Sequence, residues 1–273
     1  GTESFRSFNV IVRDTIPPSF VTSCPSNTSL STAALSCSAL VSWTSPIATD
    51  VCGTAYMSSD YEPNSSFNIG VTTVTYTAVD VNDLTALCVF TVTVIDDVAP
   101  VISGCPSTIT VDQDPIVCSA SVSWTEPTAV DNCEGNLSYF TRSNIPSSDF
   151  PVGSTTVTYV FKDDSDNEST CVFDIIVEDN IPPSFGTSCP SDINSSANAT
   201  CQVVVNWSVP MATDVCGVSS LTSDYDSGDV FNLGSTTVTY TAVDDSGNEA
   251  TCAFGVTVVD DIAPIIADCP STI

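Results

Sequence analysis

The sequence contains no histidine. That removes Ser–His and Cys–His nucleophile pairs and every histidine metal site. Positive charge is almost as scarce: 4 Lys and Arg stand against 33 Asp and Glu, for a net charge of −29. Such a surface repels phosphate backbones and anionic lipid, so nucleic acid and membrane surfaces are not expected partners, whereas cations are. No apolar run approaches the roughly 18 residues that a membrane helix needs, so no span is expected in this segment. The opening GTESFRSFNV lacks signal-peptide features and reads as an internal or mature piece. No stretch carries a helical period, and no CxxC pair offers a zinc site.

What is present is repetition. GVTTVTYTAVDVNDLTALC runs from Gly70, GSTTVTYVFKDDSDNESTC from Gly153 and GSTTVTYTAVDDSGNEATC from Gly234. Each repeat begins after a linker, DTIPP at Asp14, DDVAP at Asp96 and DNIPP at Asp179, and DDIAP at Asp260 starts another. A period of about 80 residues is too long for a solenoid turn and long enough for one small self-contained domain. At 42% hydrophobic residues the chain has the means to bury a core despite its charge.

The local pattern is strand. Val74, Tyr76 and Ala78 alternate with Thr73, Thr75 and Thr77, the two-residue period of a sheet with one buried face. Phe90, Val92 and Val94 do the same in the next segment, and DVND, DDSDN and DDSGN between such segments are turn formers. The exposed threonine ladder invites an ice- or carbohydrate-binding reading, but a solvated strand face of good β propensity explains it with fewer assumptions. Short alternating strands, frequent turns and a Trp on an early strand predict an all-β fold: tandem antiparallel immunoglobulin-like β-sandwiches.

The residues also resemble a known family. W-x-x-P, D-x-C, F-x-x-G-x-T-T-V-T-Y and D-x-x-x-N-x-x-x-C-x-F followed by V-x-D-x-x-x-P are similar to the hyalin repeat, or HYR, module. That resemblance implies an extracellular domain related to fibronectin type III and immunoglobulin folds. It covers three units, 15–97, 98–180 and 181–261. Residues 1–14 match Gly247–Asp260 position by position and read as the last strand of an upstream domain, with Arg6 where the repeats have cysteine. Residues 262–273 read as the first strand of a downstream one. The first unit departs from the pattern with VNDLTAL in place of a Gly-Asn turn, and the second has VFKD for TAVD.

Thirteen cysteines at regular spacing point to structural disulfides and an oxidising, extracellular compartment. Four per repeat allow three pairings. The first strand can run beside the last in this fold, which favours Cys24–Cys88, Cys105–Cys171 and Cys189–Cys252. Cys37–Cys52, Cys118–Cys133 and Cys201–Cys216 then flank the Trp strand. Sequential pairing within each repeat is the rival, and Cys269 is left for a partner outside the chain.

Recurring carboxylates are the remaining candidates. The linker (Asp14, Asp96, Asp179), the loop after the Trp strand (Asp50, Asp131, Asp214) and the last hairpin (Asp80, Asp163, Asp244) should converge at one end of each repeat. Oxygen ligands from three loops suit Ca²⁺, which takes 6–8 of them; otherwise the same residues only close turns. The third unit, where Asp245 and Asn248 back the set, is the strongest, and the first is the weakest. Seven Asn-x-Ser/Thr triplets, at Asn27, Asn64, Asn136, Asn167, Asn194, Asn198 and Asn206, are expected glycan acceptors if the chain is secreted by a eukaryote, although Ser and Thr are common enough to generate some by chance. Carboxylate pairs can serve as acid and base, but these recur in every repeat where an active site normally occurs once, so no enzyme is expected. The expected function is an extracellular structural rod or fibre, with prolines such as Pro17, Pro18, Pro182 and Pro183 restricting its linkers. The alternative is the stalk or binding region of a cell-surface adhesin or receptor. Its partners would be copies of itself or neighbouring domains, then cell-surface or matrix proteins or glycans.

Overall fold

The structure, a computed structural model, describes residues 1–265. Among these the chain forms strands and no helix, so the all-β expectation holds. In the first repeat the hairpin Gly70–Asp80 and Thr85–Ile95 is the spine, pairing Val74 with Phe90 and Tyr76 with Cys88. Both strands alternate as their sequences require: Val74, Tyr76, Ala78, Phe90, Val92 and Val94 are buried, and threonines lie between them. A four-stranded sheet results, in the order Thr28–Ser31, Thr85–Ile95, Gly70–Asp80, Thr54–Ser59. The facing layer is thinner, with Ser38–Val41 paired to Ser65–Asn68 and Ser19–Phe20 to Ala48–Thr49.

One pair in each large sheet is parallel rather than antiparallel. Thr28–Ser31 runs alongside Val92–Ile95 in the same direction, and Ile109–Asp112 and Ile193–Ser196 repeat this against Ile175–Glu178 and Val256–Val259. The cause is topological: the hairpin turn and the incoming linker share one end of the repeat, so the first and last strands both leave from it. The other two large sheets follow the same order, Ile109–Asp112, Glu168–Glu178, Gly153–Lys162, Thr141–Arg142 and Ile193–Ser196, Glu249–Val259, Gly234–Asp244, Val218–Ser223.

The tryptophans lie just after the early strand rather than on it, and they tie the layers together. Trp43 packs on Phe67 and edge-on to Phe90, at centroid distances of 6.0 and 5.3 Å, and its Nε1 donates to the Tyr76 hydroxyl at 2.8 Å. Trp207 repeats this on Phe231, Phe254 and Tyr240, and Trp124 packs on Phe150 and Phe173. A Trp satisfies its N–H and buries a large apolar area in one placement.

Disulfides follow the sequence reading in part. Among the described residues, Cys24–Cys88, Cys105–Cys171 and Cys189–Cys252 form, joining the start of the first strand to the start of the last. The remaining expected pairs, Cys37–Cys52, Cys118–Cys133 and Cys201–Cys216, do not form. Instead Cys37 bonds Cys133 and Cys118 bonds Cys216, each reaching from one repeat into the next, while Cys52 and Cys201 have no disulfide partner among the described residues. The reason is distance. Cys37 follows the strand that ends where Thr85–Ile95 ends, since Thr32 N–H donates to the Ile95 carbonyl at 2.9 Å. Cys52 precedes Thr54, which pairs with Asp80 at the hairpin end. The two ends of such a strand are roughly 30 Å apart at 3.3 Å per residue, whereas a disulfide needs Cα atoms about 4–7 Å apart.

Residues 1–18 form no strand in this chain. Phe8, Val10 and Val12 match the buried Phe254, Val256 and Val258 in sequence, yet are 83%, 73% and 90% exposed. Cys269 lies outside the described residues. The chain groups into two compact units. One holds 1–105, 127–142 and 159–171, and the other 106–126, 143–158 and 172 onward. The second repeat therefore contributes to both, and each unit encloses one of the two repeat-to-repeat disulfides.

Candidate metal centre at the repeat junctions

The hairpin aspartates are local in origin. Asp244 Oδ1 accepts the Ser246 and Asn248 N–H groups at 2.9 and 2.8 Å, and Oδ2 accepts Asn248 Nδ2 at 2.9 Å. Asp163 does the same with Ser165 and Asn167. The turn asks for a left-handed residue four positions in, met by Gly247 in the third repeat and by Asp83 and Asp166, at φ of 65° and 71°, in the others. The missing Gly-Asn pair of the first repeat therefore leaves the backbone turn intact. What it removes is the asparagine amide. Leu84 still donates its N–H to Asp80 Oδ1 at 2.9 Å, but Asp80 Oδ2 is buried with no partner.

The same asparagine reaches the linker. Asn167 Nδ2 donates to the Asp96 carbonyl at 3.2 Å and Asn248 Nδ2 to that of Asp179 at 2.9 Å. Hairpin and linker thus meet at one end of the second and third repeats. This also bears on the glycan acceptors. Asn27, Asn64, Asn136, Asn194, Asn198 and Asn206 are exposed, whereas Asn167 is half-buried with its amide nitrogen committed to two hydrogen bonds. Glycan attachment there would replace one of the two amide hydrogens and so remove at least one of these bonds.

The linker and post-Trp aspartates come together at every junction. Each of Asp14–Asp50, Asp96–Asp131 and Asp179–Asp214 places ligand atoms within 4.8 Å of one another, beside Cys52, Cys133 and Cys216 respectively. Cys133 and Cys216 are disulfide-bonded, so the oxygens are the donors available. The hairpin aspartates join unequally: Asp163 groups with Asp131 and Glu134, whereas Asp80 and Asp244 belong to no such group among the described residues.

The junction between the first and second repeats gathers the most carboxylates. Asp96 and Asp131 are only 6% and 4% exposed. Asp96 Oδ1 accepts from Thr32 Oγ1 and the Val98 N–H, both at 3.2 Å, and Asp131 Oδ1 from the Cys133 N–H at 2.7 Å. Their second oxygens are buried and unpartnered, as is Asp14 Oδ2 at the first linker. Two carboxylates this close repel by on the order of 3 kcal/mol at an effective dielectric of 20, and each orphaned oxygen adds desolvation cost. Glu134 comes from one extra residue between the cysteine and Gly135, a signal visible in the sequence as CEG against CG. Desolvation raises its carboxyl pKa above the ordinary glutamate value, helped by a hydrogen bond to Asp131 and the charges of Asp131 and Asp163. At Asp244 desolvation also pushes upward, but the bonds from Asn248, Ser246 and Gly247 outweigh it and hold the pKa low.

The fold and these junctions define a class: an extracellular array of immunoglobulin-like all-β modules, cross-linked by disulfides and carrying buried acidic clusters at the linkers. The chain belongs to the HYR domain family, whose model matches residues 13–94, 95–177 and 178–258. It is 36% identical over 265 residues to hyalin of Strongylocentrotus purpuratus, covering 93% of this chain and 22% of that one. It is 39% identical over 241 residues to hyalin of Lytechinus variegatus, covering 86% and 45%. The chain thus spans less than half the length of either relative. Among solved structures, mouse cadherin-23 EC22-24 aligns at 15% identity and a TM-score of 0.32, over 89% of this chain and 99% of that one. No helix of the described residues is long and apolar enough to cross a membrane.

Proposed function

We propose that this chain is a non-catalytic structural segment of an extracellular adhesion-type array, and that calcium bound at its repeat junctions holds successive repeats in fixed relation. One observation carries the metal reading: Asp96 and Asp131 place carboxylate oxygens within 4.8 Å of each other, and the Oδ2 atom of each is buried with no hydrogen-bond partner. A hard divalent cation satisfies both and cancels the repulsion. Asp96 and Asp131 would hold it at this junction, with Glu134 and Asp163 grouped around Asp131, and Asp179 with Asp214 would hold the next. Asp14 with Asp50 would serve at the first linker. The cation supplies charge and coordination only. Asp80, Asp163 and Asp244 act chiefly as turn closers.

Melting the chain with calcium and then with a chelator tests the reading. At a free concentration a hundred times Kd, binding adds about 2.7 kcal/mol to the folded state, a rise of roughly 10 °C or more for a domain of this size. Asp131→Asn should raise the chelated Tm, because a repulsion is gone, and remove most of the calcium response at that junction. A wild-type Tm unchanged by calcium would leave the aspartates as turn formers and overturn the metal reading.

The binding-stalk reading has one observation in its favour. Arg142 lies 4.6 Å over the Tyr139 ring and Lys162 lies 5.3 Å over Phe140, and Phe140 is 62% exposed. Lys162 is also ion-paired with Asp166 and Glu168 of its own repeat at 2.9 and 3.6 Å, so what the patch offers another copy is chiefly its exposed aromatic surface.

A further inference from the structure

The junction between the first and second repeats differs from the next one by two residues in a short loop. Asp131-Asn132-Cys133-Glu134-Gly135 stands where the third repeat has Asp214-Val215-Cys216-Gly217. An asparagine replaces a valine, and a glutamate is added. The added glutamate changes which carboxylates meet. Asp96 and Asp131 place ligand atoms within 4.8 Å of each other, and so, as a separate group, do Asp131, Glu134 and Asp163. Asp131 belongs to both groups. Asp214 belongs only to the linker group with Asp179 among the described residues.

The unsatisfied oxygens divide in the same way. Asp96 and Asp131 are more than nine-tenths buried. Asp131 Oδ1 accepts the N–H groups of Cys133 and Glu134 at 2.7 and 3.2 Å, while Asp131 Oδ2 and Asp96 Oδ2 are buried without a partner. Asn132 adds another oxygen of this kind: its Nδ2 donates to Thr32 Oγ1 at 3.3 Å, and its Oδ1 is buried and unpartnered. At the next junction Asp179 Oδ2 accepts from Ser246 Oγ at 3.2 Å, and neither Asp179 nor Asp214 has an orphaned oxygen among the described residues. Buried oxygens without donors mark a missing ligand, and a hard cation is the ligand that suits carboxylate and amide oxygens together. Glu134 is exposed, so its group opens to solvent.

We propose that this junction takes two calcium ions bridged by the Asp131 carboxylate. One lies between Asp96 and Asp131 and the other among Asp131, Glu134 and Asp163, whereas the next junction takes one. The proposal rests on the calcium reading above and adds its stoichiometry. Charge supports it: two divalent cations neutralise the four carboxylates gathered here, and one suffices for Asp179 and Asp214. A carboxylate has two oxygens and can face two ions, and its negative charge between them offsets their mutual repulsion. Asp163 spends Oδ1 on the Ser165 and Asn167 N–H groups and Oδ2 on the Asn167 amide alone, which leaves Oδ2 with capacity for an ion.

Equilibrium dialysis of the whole chain against radioactive calcium counts the ions bound at saturation, in about 0.15 M KCl so that exposed carboxylates are screened. Relative to the unaltered chain, Asp131→Asn should remove two equivalents, Glu134→Gln one and Asp214→Asn one. The amide oxygen that Asp131→Asn introduces can still accept the Cys133 N–H, so the loop stays closed, and an unchanged near-UV circular dichroism spectrum in chelator checks this. Glu134→Gln alters an exposed side chain and carries the test independently. If Glu134→Gln retains every equivalent, or Asp131→Asn and the double variant each lose only one, the four carboxylates share a single ion and the proposal is overturned. The calcium reading survives either result. It falls, and the proposal with it, if the unaltered chain binds no calcium.

Discussion

Replacing Asn248 by leucine gives the third hairpin the residue that the first already carries at Leu84. The exchange removes two hydrogen bonds of 2.9 Å, one to the buried Asp244 carboxylate and one to the Asp179 carbonyl. A bond to a charged group contributes about 1.5–3 kcal/mol and a neutral one about 0.5–1.5, before the cost of leaving Asp244 Oδ2 buried and unpaired. The backbone N–H of residue 248 still reaches Asp244 Oδ1 at 2.8 Å, and leucine regains some apolar contact. The expected net loss is therefore about 2–4 kcal/mol. At roughly 4–8 °C per kcal/mol for a domain of this size, the third repeat should melt about 10–25 °C lower. Hydrogen exchange of the Gly234–Asp244 and Glu249–Val259 amides, measured in chelator so that no cation substitutes, localises the loss to that repeat. The reciprocal Leu84→Asn should protect the first hairpin by about 1–2 kcal/mol, because it supplies a donor to Asp80 Oδ2. A loss below about 0.5 kcal/mol for Asn248→Leu, or a Leu84→Asn exchange that destabilises, would refute the reasoning that the amide is what satisfies this turn.

Two further outcomes are expected. The pKa of Asp244 is held below the usual 3.8, so its contribution to stability is present above that value and is lost as the pH falls through the folded pKa. The third repeat should hold its stability down to about pH 5 and lose it below about pH 4, and Asp244→Asn should flatten that acid limb in an equilibrium urea titration. Trp207→Phe removes the 2.8 Å bond to Tyr240 and leaves that hydroxyl buried, which should cost about 1–3 kcal/mol in the same titration. A loss inside the error of the measurement would mean that the tryptophan acts through its bulk alone.

The features that depend on neighbours in sequence were legible without coordinates. Alternation in TTVTYTAVD specifies a half-buried strand because successive side chains point to opposite faces. DDSGN specifies its turn because an aspartate oxygen reaches N–H groups two and four residues on. The pairing of the first cysteine with the fourth also followed, since it needs only the order of strands within one repeat. The second and third cysteines could not be assigned that way. Their partners depend on which end of the sandwich each loop occupies and on what the linker brings against that end. Position in sequence puts Cys37 close to Cys52, whereas the fold sends them to opposite ends and places Cys37 beside Cys133. The aspartates divide in the same manner. Their recurrence was visible in the chain, but whether an oxygen is spent on a turn amide, as at Asp163 and Asp244, or left buried without a partner, as at Asp96 and Asp131, is decided by packing at the junction, where residues distant in sequence supply or withhold the donor.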